Sequence, residues 1–153
     1  MSSYAKSMNI TRVGKSDLVD IKLGLKDGAE LPIADLGYGL SQIMPVLTQC
    51  SFAQNNSTLL FEQPEIHLHT KSSKQLAKVF IQTAKSKKSN VILETHSPDL
   101  VKQFMQEMKS GNILSEEIIF YKVTRENMGT CIHEIEIDDN FDVYENWENG
   151  ISI

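Results

Sequence analysis

Two short apolar runs constrain this chain more than anything else in it. Residues 58–61 read Thr-Leu-Leu-Phe, and residues 90–93 read Asn-Val-Ile-Leu. Each has the length and make-up of a fully buried strand. Each ends abruptly in polar residues: Glu62, Gln63, Pro64 and Glu65 after the first, and Glu94, Thr95, His96, Ser97 and Pro98 after the second. Pro64 lacks a backbone donor and stops a ladder there. Residues 69–88 have helical spacing, with Leu76, Val79, Phe80 and Thr83 on one face. Lys71, Lys74, Lys78 and Lys85 fall largely on the other, which predicts a solvated face. Two strands joined by a helix form a parallel pair, and the right-handed crossover brings their polar ends to one sheet edge. In open α/β sheets that edge is where ligands bind.

The flanks extend the same α/β plan. Residues 1–9 carry no clear pattern, and strands are expected over 10–13, 18–25 and 30–34. Between the last two, Lys26, Asp27 and Gly28 form a hairpin-type turn. Gly14, Lys15 and Ser16 have the ending of a P-loop, but Asn9 stands where its first glycine belongs. The residues after Ser16 alternate like a strand instead of opening a helix. The segment reads as a turn between strands, so no Walker A loop is expected in this chain. Gly37 and Gly39 precede a helix over 40–52, with Leu40, Ile43, Met44 and Leu47 at helical spacing and Pro45 in its first turns. Glycines there leave amides free at a helix start, an anion site in principle. Ser97 is a natural N-cap for a helix over 98–108, which Gly111 and Asn112 end. Strands over 117–123 and 131–137, with a loop over 125–129, complete the pattern. The acidic tail with Trp147 reads as surface packing or a partner edge.

In that setting LLFEQPEIHLH resembles a Walker B segment and LETHSPDL resembles a switch-histidine segment. DLGYGLSQIMPVL, residues 35–47, resembles the signature segment that opens a long helix. The order is that of ABC-type ATPase heads of the SMC, Rad50 and RecF lineage. The chain is most similar to bacterial AAA-like and overcoming-lysogenization-defect ATPases. The resemblance implies a partial P-loop NTPase sheet with parallel strands, crossover helices and extra antiparallel strands. It implies a single domain over 1–153, the C-terminal portion of a head, with the motif core at 34–100. The cofactors implied are ATP and Mg²⁺. The partners implied are a Walker A-containing half from the same ATPase or another chain, and a second head in a head-to-head homodimer. The family works on DNA, in repair or in defence against phage and plasmids, often beside a nuclease.

The resemblance also implies roles. ATP hydrolysis needs Mg²⁺ near the phosphates, an activated water, and donors for the charge developing on the γ-phosphate. Glu62 matches the Walker B acid and would hold Mg²⁺ directly or through water, although the family more often has Asp there. Gln63 matches the usual catalytic Glu. An amide orients water but is no general base at neutral pH, which makes Glu65 the candidate base or a further Mg²⁺ contact. His96 matches the switch histidine at the γ-phosphate or the attacking water. Gly37, Gly39, Ser41 and Gln42 match the signature loop, which presses on nucleotide held by the other protomer. The usual signature Ser before two glycines is missing here.

Two other readings stay open. Glu65, His67 and His69 alternate, and on a strand they would point one way and hold Zn²⁺ as in a metal-dependent hydrolase. Pro64 before them weighs against strand geometry. The missing Walker A and Gln63 also suit a non-catalytic dimerisation or regulatory segment.

Charge and length bound these readings. A net charge of −5 gives no large basic footprint for nucleic acid. A chain of 153 residues with 41% hydrophobic content suits one soluble domain or part of one. No apolar run reaches membrane-spanning length, and the first residues lack the apolar core of a secretory leader. Cys50 and Cys131 are expected as reduced thiols in the cytoplasm.

Overall fold

The structure, a computed structural model, describes residues 5–35, 38–126, 129–135 and 137. Strands β1 (Ala5–Arg12), β2 (Val19–Leu25) and β3 (Glu30–Pro32) form an antiparallel meander. A 3-10 turn, Ile33–Asp35, leads to helix α1 (Tyr38–Phe52). Strand β4 (Thr58–Glu62), helix α2 (Thr70–Lys87) and strand β5 (Asn90–Glu94) come next as one crossover unit. After them stand helix α3 (Pro98–Lys109), a 3-10 turn, Ser115–Glu117, and the antiparallel hairpin of β6 (Tyr121–Glu126) and β7 (Gly129–Glu134). This is the mixed α/β architecture expected from the sequence.

The central unit is the parallel pair β4–β5, in register from Thr58 with Asn90 to Glu62 with Glu94. Leu59 and Phe61 share a face with Val91 and Leu93, and that face packs on the three helices. The core there comprises Cys50 from α1, Leu76, Ala77, Phe80 and Ile81 from α2, and Leu100, Phe104 and Met108 from α3. The rings of Phe61 and Phe80 meet with centroids 5.0 Å apart, in the range of favourable aromatic pairing. The other face of the pair is open. Leu60 is 73% exposed and its neighbour Ile92 is 53% exposed. The two runs are therefore half-buried strands, not the fully buried ones their composition suggested. An apolar run reports that both faces suit burial, whereas only one carries a helical layer among the described residues.

Other boundaries move for local reasons. β1 begins at Ala5, inside the stretch that carried no pattern, because the β2 ladder fixes it and not a buried face of its own. Gly14 adopts φ +59° in the β1–β2 turn, where the Val13 N–H donates to the Leu18 carbonyl at 2.9 Å. That is a hairpin turn and not the start of a phosphate-binding helix. Pro45 lies in the middle of α1, not in its first turns, since the helix begins at Tyr38. There it removes the N–H that would bond the Ser41 carbonyl. Residues 117–120 are not strand. Glu117 is used locally, its carboxylate accepting from the Leu114 N–H at 2.8 Å and meeting Lys85 Nζ at 3.2 Å. The acidic tail with Trp147 and residues 127–128 of the expected loop lie outside the described residues.

Candidate functional site

The site grows out of the ends of β4 and β5. Parallel register places Glu62 beside Glu94 on the open face of the pair, and both side chains are exposed. The ladder runs one step further, with the Gln63 N–H donating to the Glu94 carbonyl at 2.9 Å. Gln63 then turns the chain in the left-handed region, φ +43°, directly before Pro64. Both features disfavour that conformation for an ordinary residue. Two successive turns come after it: Ile66 N–H to the Gln63 carbonyl at 3.1 Å, and Leu68 N–H to the Glu65 carbonyl at 2.9 Å.

These turns aim Glu65 across at the β5 end. Its Oε1 accepts a short hydrogen bond from Thr95 Oγ1. Thr95 Oγ1 in turn accepts from the Ser97 N–H at 3.0 Å, and Ser97 Oγ caps α3 by accepting from the Leu100 N–H at 3.3 Å. Glu65 is thus oriented by a chain of bonds anchored in a helix start. Its second oxygen, Oε2, is buried and has no hydrogen-bond partner among the described residues. A buried carboxylate oxygen without a partner is costly and rare in folded proteins. His96 lies just beyond Thr95, half in solvent, with Nε2 3.9 Å from Glu94 Oε1. That is ion-pair range when the ring is protonated.

The start of α1 closes the third side. A Cβ added to Gly39 would lie 3.0 Å from the His67 carbonyl oxygen, so glycine permits the helix to sit directly against the loop after β4. Ser41 is half-buried and Gln42 is exposed on the same helix. Gly37 lies outside the described residues. The fold therefore draws the segments of Glu62, Gln63, Glu65, His96 and Gly39 to one end of the parallel pair. It adds two residues that the sequence reading gave no role, Glu94 and Thr95. The equal length of the two apolar runs carried the signal for them, since an in-phase parallel pair aligns the residues just beyond each strand.

Glu65, His67 and His69 do not form a ligand set. The backbone from 63 to 68 is turns, His67 has φ +65°, and His69 is the N-cap of α2. Among the described residues, three ligand groups come within 4.8 Å of one another at one place, Glu126, Cys131 and His133 on the β6–β7 hairpin.

A parallel pair with a crossover helix, a carboxylate-rich edge and a glycine-started helix beside it define an NTPase-type α/β unit. The chain belongs to the AAA ATPase domain family, whose model matches residues 3–101. Its fold is similar to a solved structure from work on the structural biochemistry of ATP-driven dimerization and DNA stimulated activation of SMC ATPases. The likeness has a TM-score of 0.61 at 14% identity and covers 86% of this chain and 76% of that one. A comparison with curated protein sequences finds no match. The chain is accordingly a member of the AAA ATPase domain family with a fold similar to that of an SMC ATPase structure. No described helix is long and apolar enough to cross a membrane.

Proposed function

We propose that the β4–β5 edge is the Mg-ATP hydrolysis edge of an ATPase head, working once a Walker A-bearing segment completes the nucleotide site. The observation that carries this reading is Glu65, held by Thr95 through one oxygen while the other stays buried and unpartnered among the described residues. A carboxylate so oriented, with one oxygen unpaired, suits a general base once the completed site opens that oxygen to a water. Gln63, on the same turn, would orient that water through its amide. His96, set by Glu94, would donate to the γ-phosphate. Mg²⁺ uses one or two carboxylates together with substrate phosphates, and Glu62 and Glu94 side by side supply that donor set. When bound, the ion neutralises charge on the phosphates.

The open face with Leu60 and Ile92 supports completion by a further layer packed on it, because parallel sheets are normally covered on both faces. A head-to-head dimer would bring the α1 start, with Gly37, Gly39, Ser41 and Gln42, against nucleotide held by a second head. The protein would be a cytoplasmic one of the overcoming-lysogenization-defect kind. Its single domain would span 1–153 with a motif core at 34–100, and it would act with DNA and a nuclease in repair or in defence against phage and plasmids.

The isolated chain is expected to keep its melting temperature in millimolar Mg-ATP and to release no phosphate, since the amide cradle and Lys of a P-loop are missing. Adding a Walker A-bearing segment should produce Mg²⁺-dependent phosphate release. A clear upward shift for the isolated chain, or a mixture that associates with nucleotide yet stays silent, would overturn this reading. The second outcome would return the chain to a non-catalytic dimerisation role.

A further inference from the structure

We propose that the β6–β7 hairpin carries a zinc site formed by Glu126, Cys131 and His133, separate from the nucleotide edge. The antiparallel register pairs Thr124 with Cys131, Lys122 with His133 and Glu126 with Gly129. Directly paired residues share a face and side chains alternate along a strand. Cys131, His133 and Glu126 therefore all project on one face of the hairpin. Their ligand atoms lie within 4.8 Å of one another, and Glu126 Oε1 is 3.4 Å from His133 Nε2.

A thiolate, an imidazole and a carboxylate form a borderline-soft donor set, which suits Zn²⁺ far better than Mg²⁺ or Ca²⁺. Donor atoms around a tetrahedral zinc stand roughly 3.3–3.8 Å apart, so modest side-chain rotations would close the set. Three protein ligands leave a fourth position for water, and Glu126 and His133 are open to solvent. A second observation points to the same place. Thr124, directly opposite Cys131, has its hydroxyl buried with no hydrogen-bond partner among the described residues. A metal-bound water or the liganded thiolate would give that hydroxyl a partner.

The site has a structural purpose. An isolated two-stranded hairpin is marginal in water, and this one is tied to the core at its base, through Ile118, Phe120 and Ile137, which pack against the core cluster. The ligands run along the hairpin from Glu126 at its tip, through Cys131, to His133 near its base, so a metal would link the last residue of β6 to β7. The other thiol is no competitor: burial pushes the Cys50 thiol up, against a weaker opposing hydrogen bond from Thr83, and metals bind the thiolate.

Co²⁺, which reports thiolate ligation by a near-ultraviolet charge-transfer band, tests this on the reduced full chain. We expect the band to saturate at one Co²⁺ per chain and to be bleached by Zn²⁺. Cys131→Ser should abolish it, and Glu126→Gln and His133→Ala should each weaken binding. The double variant His67→Ala with His69→Ala should leave it unchanged. Zn²⁺ should also raise the melting temperature of the wild type and not of Cys131→Ser. Persistence of the band in Cys131→Ser, Co²⁺ binding with no thiolate band, or no saturable binding would each overturn the proposal. None of these results depends on ATP turnover, so this site and the ATPase reading fail separately.

Discussion

Replacing Glu65 with Gln is expected to abolish ATP turnover by the completed head while leaving nucleotide-driven association intact. The substitution keeps the shape of the side chain and the Oε1 acceptor for Thr95, so the chain of bonds from Ser97 through Thr95 survives. What it removes is basicity at the buried Oε2 position. A positioned general base contributes about 10²–10⁴-fold to rate, and the loss in kcat should fall in that range. Glu62→Gln acts differently, because it removes charge from the open face beside Glu94, and it should weaken Mg²⁺-dependent nucleotide binding as well. His67→Ala and His69→Ala should leave turnover in place, as those residues belong to the turns and to the cap of α2. Full turnover in Glu65→Gln would leave Gln63 to orient water with no protein base, and the assignment of Glu65 would be wrong.

Glu107→Ala is expected to lower folding stability by about 2–3 kcal/mol, from the loss of hydrogen bonds to a charged carboxylate and of a buried side chain's packing. Glu107 is only 5% exposed, yet it is charged. Its carboxylate accepts from Gln103 Nε2 and Asn112 Nδ2, each at 2.6 Å, and Lys78 Nζ of α2 lies 3.6 Å away. One side chain thus ties the end of α3 to its following turn and to α2. Burial pushes this carboxyl up, but the hydrogen bonds from Asn112 and Gln103 and the Lys78 charge outweigh it and hold it below the usual carboxylate range. The unfolded chain therefore binds the proton more readily than the folded one. The contribution is present above the ordinary Glu pKa, about 4.3, and is lost as pH falls through the lower folded value. Urea midpoints measured between neutral and acid pH should show an acid limb that is shallower in Glu107→Gln. Identical acid limbs would mean that the folded and unfolded carboxyls titrate alike.

Much of this molecule was legible in its sequence because its central signals are local. The two apolar runs, the lysine-faced helix between them and the Ser97–Pro98 cap each depend on a few neighbouring residues. Their consequence, a parallel pair with both polar ends together, is dictated by chain geometry. What the sequence hid is set by partners distant along the chain. Ala5 to Asn9 become a strand only because β2 lies beside them. Leu60 and Ile92 look buried but are open, since composition cannot say how many faces are covered. Thr95 matters through its bond to Glu65, thirty residues away. On the hairpin, the Cys131 and His133 spacing did carry a signal, a period-two pair on one strand face. Only the strand pairing brings Glu126 to it.

The central claim is that a nucleotide's metal sits at the β4–β5 edge. Paramagnetic broadening by Mn²⁺ bound to a non-hydrolysable ATP analogue, read on this chain isotopically labelled within the completed head, tests it most directly. The account predicts broadening centred on the amides of residues 62–65 and 94–97, with those of the Gly14–Ser16 turn spared. Broadening centred on the Gly14–Ser16 turn, or none at the edge in a head that hydrolyses ATP, would contradict it.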